Sequence, residues 1–222
     1  MKRLLFAGVL CGALLLPGVA TAHPVDGPVF PPDSHPYGRS YSWWFSEYEK
    51  WFNEIPTPLN PLVDPDSPLN CASRGPVVFG GPFGSGEGCT ARSWQAFAFG
   101  GPGWECSTAE GLGDTFAELR ACAIDNFAID FGPPGFRVTV RVDGQLVRAP
   151  WRWVFVSQGR IIDFPDDNIW GAVPGPSKSV SKGYLLMLRP MTPGHHRIVM
   201  RVFVDGEYQF AVPWQVRVLG HH

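Results

Sequence analysis

The chain predicts a mainly β fold, a β-sandwich of immunoglobulin-like or jelly-roll kind with one or two short helices. Three observations lead there. In the C-terminal half, Phe136, Val138, Val140 and Val142 alternate with Arg137, Thr139 and Arg141, the period of a half-buried strand. Similar short runs follow, separated by turn dipeptides such as Asp143-Gly144 and Asp205-Gly206, which favour tight hairpins. Glycine and proline contribute 26 and 23 of the 222 residues, enough to break the chain into many turns and few long helices.

Taken in order, the elements begin with a leader. Lys2 and Arg3 precede an apolar run from Leu4 to Leu16, Pro17 breaks it, and Ala20-Thr21-Ala22 offers a small-x-small cleavage pattern. Residues 1–22 therefore read as a signal peptide. Gly18 and Ala20 satisfy the same rule, so cleavage after Ala20 is the alternative to cleavage after Ala22. An apolar core of about 13 residues falls short of the roughly 20 needed to span a bilayer. The expectation is a secreted or periplasmic protein with no membrane anchor after cleavage. Residues 23–39 hold Pro24, Pro28, Pro31, Pro32 and Pro36 and read as an extended arm, because each proline fixes φ and removes a donor.

Residues 40–222 are read as a single sandwich domain. It opens with a helix at 40–54, where Tyr41, Trp44, Phe45, Tyr48, Trp51 and Phe52 form a stripe at helical spacing. Glu47, Glu49, Lys50 and Glu54 are assigned to the opposite face, and Pro56 ends the helix. Strands are expected at 76–79 and 92–99. Thr115 and Glu118 make a capping box for a second helix over 115–127, with Phe116, Leu119, Ala123 and Phe127 as its buried side. Further strands are expected at 136–142, 145–147, 151–156, 160–164, 184–189, 197–204 and 207–218. Pro213 within the last places it at an edge or a bulge.

The net charge is −2 with His neutral, and removing Lys2 and Arg3 makes it more negative. With no basic block, the composition argues against nucleic acid and anionic membrane surfaces as partners. Cys11 lies in the leader, which leaves Cys71, Cys89, Cys106 and Cys122. An even four in an exported chain reads as two disulfides. Four cysteines allow three connectivities and sequence alone does not choose. Cys71–Cys89 and Cys106–Cys122 are expected, since each closes a short loop. No C-x-x-C spacing supports a structural zinc.

The segment His35-Pro36-Tyr37-Gly38-Arg39-Ser40-Tyr41, leading into the Trp-rich helix, resembles a family of exported microbial proteins of unassigned function. The resemblance extends to Gly75-Pro76-Val77-Val78-Phe79, to Cys89, to Glu118-Leu119-Arg120, to Asp167-Asn168, to the run from Ser181 to Leu188, and to Pro193-Gly194-His195-His196. It implies export and imports almost no chemistry. The helix surface at Trp43, Glu47 and Phe52 departs from the family pattern.

Candidate chemistry is sparse. Cleavage after Ala22 would expose His23, whose amine and imidazole, with a second imidazole, can form a copper histidine brace. The third ligand would come from His35, His195, His196, His221 or His222. Copper is thus the one cofactor in view, on a runner-up reading as an oxidative enzyme. Asp163, Asp166, Asp167 and Asn168 form an acidic loop without a full calcium signature, and an Asx-turn accounts for it more simply. Paired carboxylates for glycoside hydrolysis might be drawn from Glu105, Glu110, Asp130 or those aspartates, with no separation fixed. Ser157 and Ser181 lack a nucleophile elbow. Among nine tryptophans, Trp43, Trp104 and Trp170 are the candidates for stacking a ligand. The leading reading is a non-catalytic binding or structural protein outside the cytoplasm, its ligand unknown and recognised by aromatic contacts.

Overall fold

The computed structural model describes residues 27–84 and 88–220. The signal segment, His23, His221 and His222 lie outside the described residues. Helix α1 (Tyr41–Asn53) comes first, then strands β1 (Cys71–Arg74), β2 (Val77–Gly80), β3 (Cys89–Arg92) and β4 (Ala96–Ser107), then helix α2 (Phe116–Phe131). Strands β5 (Phe136–Val142), β6 (Gln145–Val147), β7 (Val154–Val156), β8 (Arg160–Phe164), β9 (Gly175–Leu188), β10 (Gly194–Val204) and β11 (Glu207–Leu219) complete the chain. They form two facing sheets, as expected of a sandwich. One runs β1-β2-β4-β9, with β7 and β8 both paired to β9; the other runs β3-β11-β10-β5-β6.

The inner faces meet in an apolar core. Trp214 of β11 is fully buried, its ring centroid 4.6 Å from that of Phe99 on β4, and its indole Nε1 donates to the Gly81 carbonyl at 2.7 Å. That bond lets a large polar-tipped ring be buried at no cost in unpaired donors. The β5–β6 hairpin turns at Asp143-Gly144 with φ of 49° and 82°, the left-handed pair that a two-residue turn requires. At Pro213 the outer edge of β11 has no strand partner, because β3 pairs only with Val216 to Leu219. The missing N–H therefore costs no ladder bond, as the edge reading requires.

Helix α1 covers the other face of the six-stranded sheet. Ser40 caps it, accepting from the Trp43 amide at 3.2 Å. Its stripe is buried as the spacing predicts, each large ring contributing roughly 2–3 kcal/mol by removal from water. Gly100 and Gly183 make room for it: a Cβ on the first would stand 2.7 Å from the Tyr48 ring, and one on the second 3.2 Å from Phe45. Ahead of the helix, the Pro-rich segment is tied down by a bridge from the buried Val29 to Leu188.

Helix α2 starts with the expected capping box and buries Leu119, Ala123 and Phe127. It runs on to Phe131, where Gly132 and Pro133 end it. Phe116 is a correction. It is 40% exposed, because as the first helical residue it lies beyond the contact with the sheet and rests against Gly159. Several strand expectations also shift: β4 runs on to Ser107, and β9 and β10 begin earlier, at Gly175 and Gly194. The 92–99 run divides into β3 and β4 at a turn closed by Gln95, and residues 150–153 form a 3₁₀ turn before β7.

Both disulfides pair as expected, with Cα separations of 5.6 Å for Cys71–Cys89 and 6.3 Å for Cys106–Cys122. The first joins β1 to β3 and hence one sheet to the other. The second staples α2 to β4. Two such bonds point to an oxidising environment, and no helix among the described residues is long and apolar enough to cross a membrane.

Candidate functional site

The β4 strand changes neighbours halfway along. β2 accompanies it only from Ala96 to Phe99, and the ladder to β9 is irregular between Gly100 and Gly103. Past that point the edge of β4 that β2 had covered is left without a ladder partner among the described residues. A cavity of about 250 Å³ lies against this edge. Its walls include Tyr48, Phe52, Trp104, Phe131, Trp170 and Phe210, with Glu49 and Glu105 as the carboxyl groups.

A polar layer between α1 and the sheet positions the two carboxyls. Ser181 Oγ donates to Glu49 Oε2 at 3.0 Å, and Asn53 Nδ2 reaches the same oxygen at 3.4 Å. Ser181 is itself held, its amide donating to Ser157 Oγ at 2.9 Å. Ser179 Oγ donates to Glu105 Oε1. On the neighbouring turn, Ser107 Oγ donates to Glu110 Oε2 at 2.6 Å. Trp170 Nε1 donates to Asn53 Oδ1 at 2.6 Å, which fixes one aromatic wall against the helix.

Glu105 is the anomalous member. Only 8% exposed, it keeps one oxygen, Oε2, buried and unmet by any amide, hydroxyl or cationic donor, its one further neighbour being the Glu110 carboxyl, with which it can share a proton. Burial pushes its carboxyl well above the usual range, and the adjacent Glu110 and the charge of Glu49 push it further, against the Ser179 hydrogen bond. Burial likewise raises Glu49 to about 7, against the hydrogen bonds from Ser181 and Asn53. The pocket thus joins aromatic faces to two carboxyls that keep their protons far above pH 4.5, so a positively charged group gains the aromatic contacts at any pH and the carboxylate charge only as these groups ionise.

Of the stacking candidates, Trp104 and Trp170 meet in this pocket. Trp43 stands elsewhere, half-buried between the guanidinium groups of Arg39 and Arg160, at 4.8 and 5.5 Å from its ring. The histidines do not converge. His35 and His195 are exposed, whereas His196 bonds Asp143 Oδ2 at 2.7 Å and the Thr192 carbonyl at 2.8 Å. Among the described residues no three His, Cys, Asp or Glu side chains gather closely enough to hold a metal. The 163–168 loop closes as an Asx-turn, with Asn168 Oδ1 accepting from the Trp170 and Ala172 amides at 3.2 and 2.9 Å.

Sequence reasoning assigned Glu49 to the solvent face of α1. The signal that places it was present: Ser46, Glu49 and Asn53 stand at i, i+3 and i+7 and so form a polar line beside the aromatic stripe. Ser46 and Asn53 are both buried. No known protein-family model matches the chain, and no curated protein sequence matches it either.

Proposed function

We propose that this chain is an exported, non-catalytic binding protein, working in the periplasm or outside the cell, whose β4-edge pocket holds a small organic cation such as a substituted ammonium. The observation that carries this reading is the buried Glu105 carboxyl, whose Oε2 meets no donor from an amide, hydroxyl or cationic group and whose one further neighbour is another carboxyl, Glu110. A desolvated carboxyl oxygen is costly to leave unmet, and a cation that loses its own water against aromatic faces supplies what the oxygen lacks. The alkyl groups of such a ligand suit Phe52, Trp104 and Phe210, and its charge suits Glu49 and Glu105. The disulfides and the leader pattern support export. Kinship with the exported microbial proteins that share the 35–41 segment belongs to the same proposal.

Tryptophan fluorescence titration with choline and with its neutral isostere 3,3-dimethylbutanol, at pH 6 and pH 8, tests the proposal. Choline is expected to bind and the alcohol not to. Because the cation prefers the ionised form of Glu49, binding strengthens as pH rises through about 7. Glu49→Gln and Glu105→Gln are each expected to weaken binding by about tenfold or more, the loss of one charge-assisted contact. Equal affinity for the neutral alcohol, or a double variant that binds as the wild type does, overturns the reading.

A further inference from the structure

The outward face of the five-stranded sheet carries an ordered row of arginines. On β5, Arg137 and Arg141 point outward, and on β10, Arg197 and Arg201 do the same, all four exposed. The register staggers them. Arg141 lies opposite Val199, and Arg137 opposite Phe203, so each strand's arginines fall midway between those of the other. Read along the sheet, the order is Arg197, Arg141, Arg201, Arg137, with a step of two residues, or about 7 Å, and a change of strand each time. The row is about 20 Å long on that rise.

Three members of the row, Arg197, Arg141 and Arg201, line a trough of about 650 Å³ whose floor is made of small side chains, Thr139, Val199 and Ala211; Arg137 lies beyond its end, over the Phe203 ring. None of the four arginines takes part in a salt bridge between described residues. Asp143, the one carboxylate lining the trough, is already engaged: Oδ1 accepts from the Arg197 amide at 2.8 Å and Oδ2 holds His196. A chain whose overall charge is negative therefore concentrates unmatched positive charge in one concave strip.

We infer that this trough binds a linear carboxylate-bearing polysaccharide, seated across β5 and β10 on Arg197, Arg141 and Arg201. Three features select that occupant. Guanidinium groups pair planar carboxylates through two parallel hydrogen bonds, which a row of lysines would not do. A concave strip takes a chain in preference to a flat bilayer. Binding of single-stranded nucleic acid combines a basic groove with aromatic rings on which successive bases stack, and here the residues between the arginines are small and aliphatic. The aromatic pair Phe203 and Tyr208 closes one end only, with Phe203 already covered by Arg137 at 4.2 Å. The trough is separate from the β4-edge pocket, and neither assignment depends on the other.

The test is calorimetric titration of the full exported chain with polygalacturonate oligomers, with neutral dextran, oligo-thymidylate and phosphatidylglycerol vesicles as parallel arms. Polygalacturonate is expected to bind, more weakly as salt is raised, and dextran not to bind. Arg197→Gln with Arg201→Gln should weaken it by about tenfold or more. Arg120→Gln, on the exposed side of α2, should leave it unchanged. Unaltered melting of each variant shows that the loss is not one of folding. Tighter binding of oligo-thymidylate or of vesicles overturns the assignment, as does undiminished binding by Arg141→Gln with Arg197→Gln and Arg201→Gln.

Discussion

The β4–β9 ladder has two halves that share a sheet and a covering helix yet differ in kind. From Ala96 to Phe99, β4 is buried and apolar on both faces, set between Trp214 on one side and the aromatic stripe of α1 on the other. From Gly103 to Ser107, past the irregularity, the face under α1 carries Glu105 and Ser107 opposite Ser179 and Ser181. Buried polar groups add little net stability even when paired, and an unpaired one subtracts. The first half holds the fold together, and the second is carried by it.

The sharpest way to break this division is Trp214→Ala in the apolar half. A fully buried indole removed from a packed core costs about 4 kcal/mol, and here the Gly81 carbonyl also loses its donor. Urea denaturation should show the loss in the midpoint with an unchanged slope. A loss under about 1 kcal/mol would mean that the core does not rest on this residue.

Next in size are the disulfides. Replacing Cys106 and Cys122 by Ser should cost about 3 kcal/mol on the chain-entropy argument. The effect should be regional, because α2 rests on a small cluster of Leu119, Ala123, Val180 and the bridge itself. Hydrogen exchange is expected to quicken in α2 and around Trp104, with the Ala96–Phe99 segment still protected. Replacing Cys71 and Cys89 instead should loosen the two sheets together. Uniform exchange in both variants would erase the distinction between the halves.

The same contrast decided what could be read from the chain. Elements of the apolar kind announce themselves: the alternation at 136–142 and the stripe from Tyr41 to Phe52 were legible, since burial leaves a period in the sequence, whereas the cysteine pairings were expected from loop length and not from any period. The polar half leaves none. β9 begins at Gly175, well before the expected 184, because Ser177, Ser179 and Ser181 look like loop residues and are buried only through partners distant in sequence. Trp104, Trp170 and Glu105 were all in view as single residues. What no spacing could supply was their meeting with Glu49, which depends on where β2 stops and how α1 is turned.

Glu49 offers the finest measurement of the difference. Its carboxyl titrates near 7 in the folded protein against an ordinary value of 4.5, raised by burial. Between those values the native state holds a proton that the unfolded state has released. Unfolding free energy therefore falls as pH rises through this window, and it levels off above about 7. Glu49→Gln removes the titration. Relative to wild type, the variant should gain about 2 kcal/mol between pH 4 and pH 8, a figure reduced for the residual exposure of the side chain. Trp214→Phe in the apolar half should lower stability by the same amount at both pH values, having no proton to lose. Chemical denaturation at the two pH values checks both. If the profiles of wild type and Glu49→Gln run parallel, the carboxyl is not held protonated by burial, and the polar layer between α1 and the ladder does not differ from the apolar half in this respect.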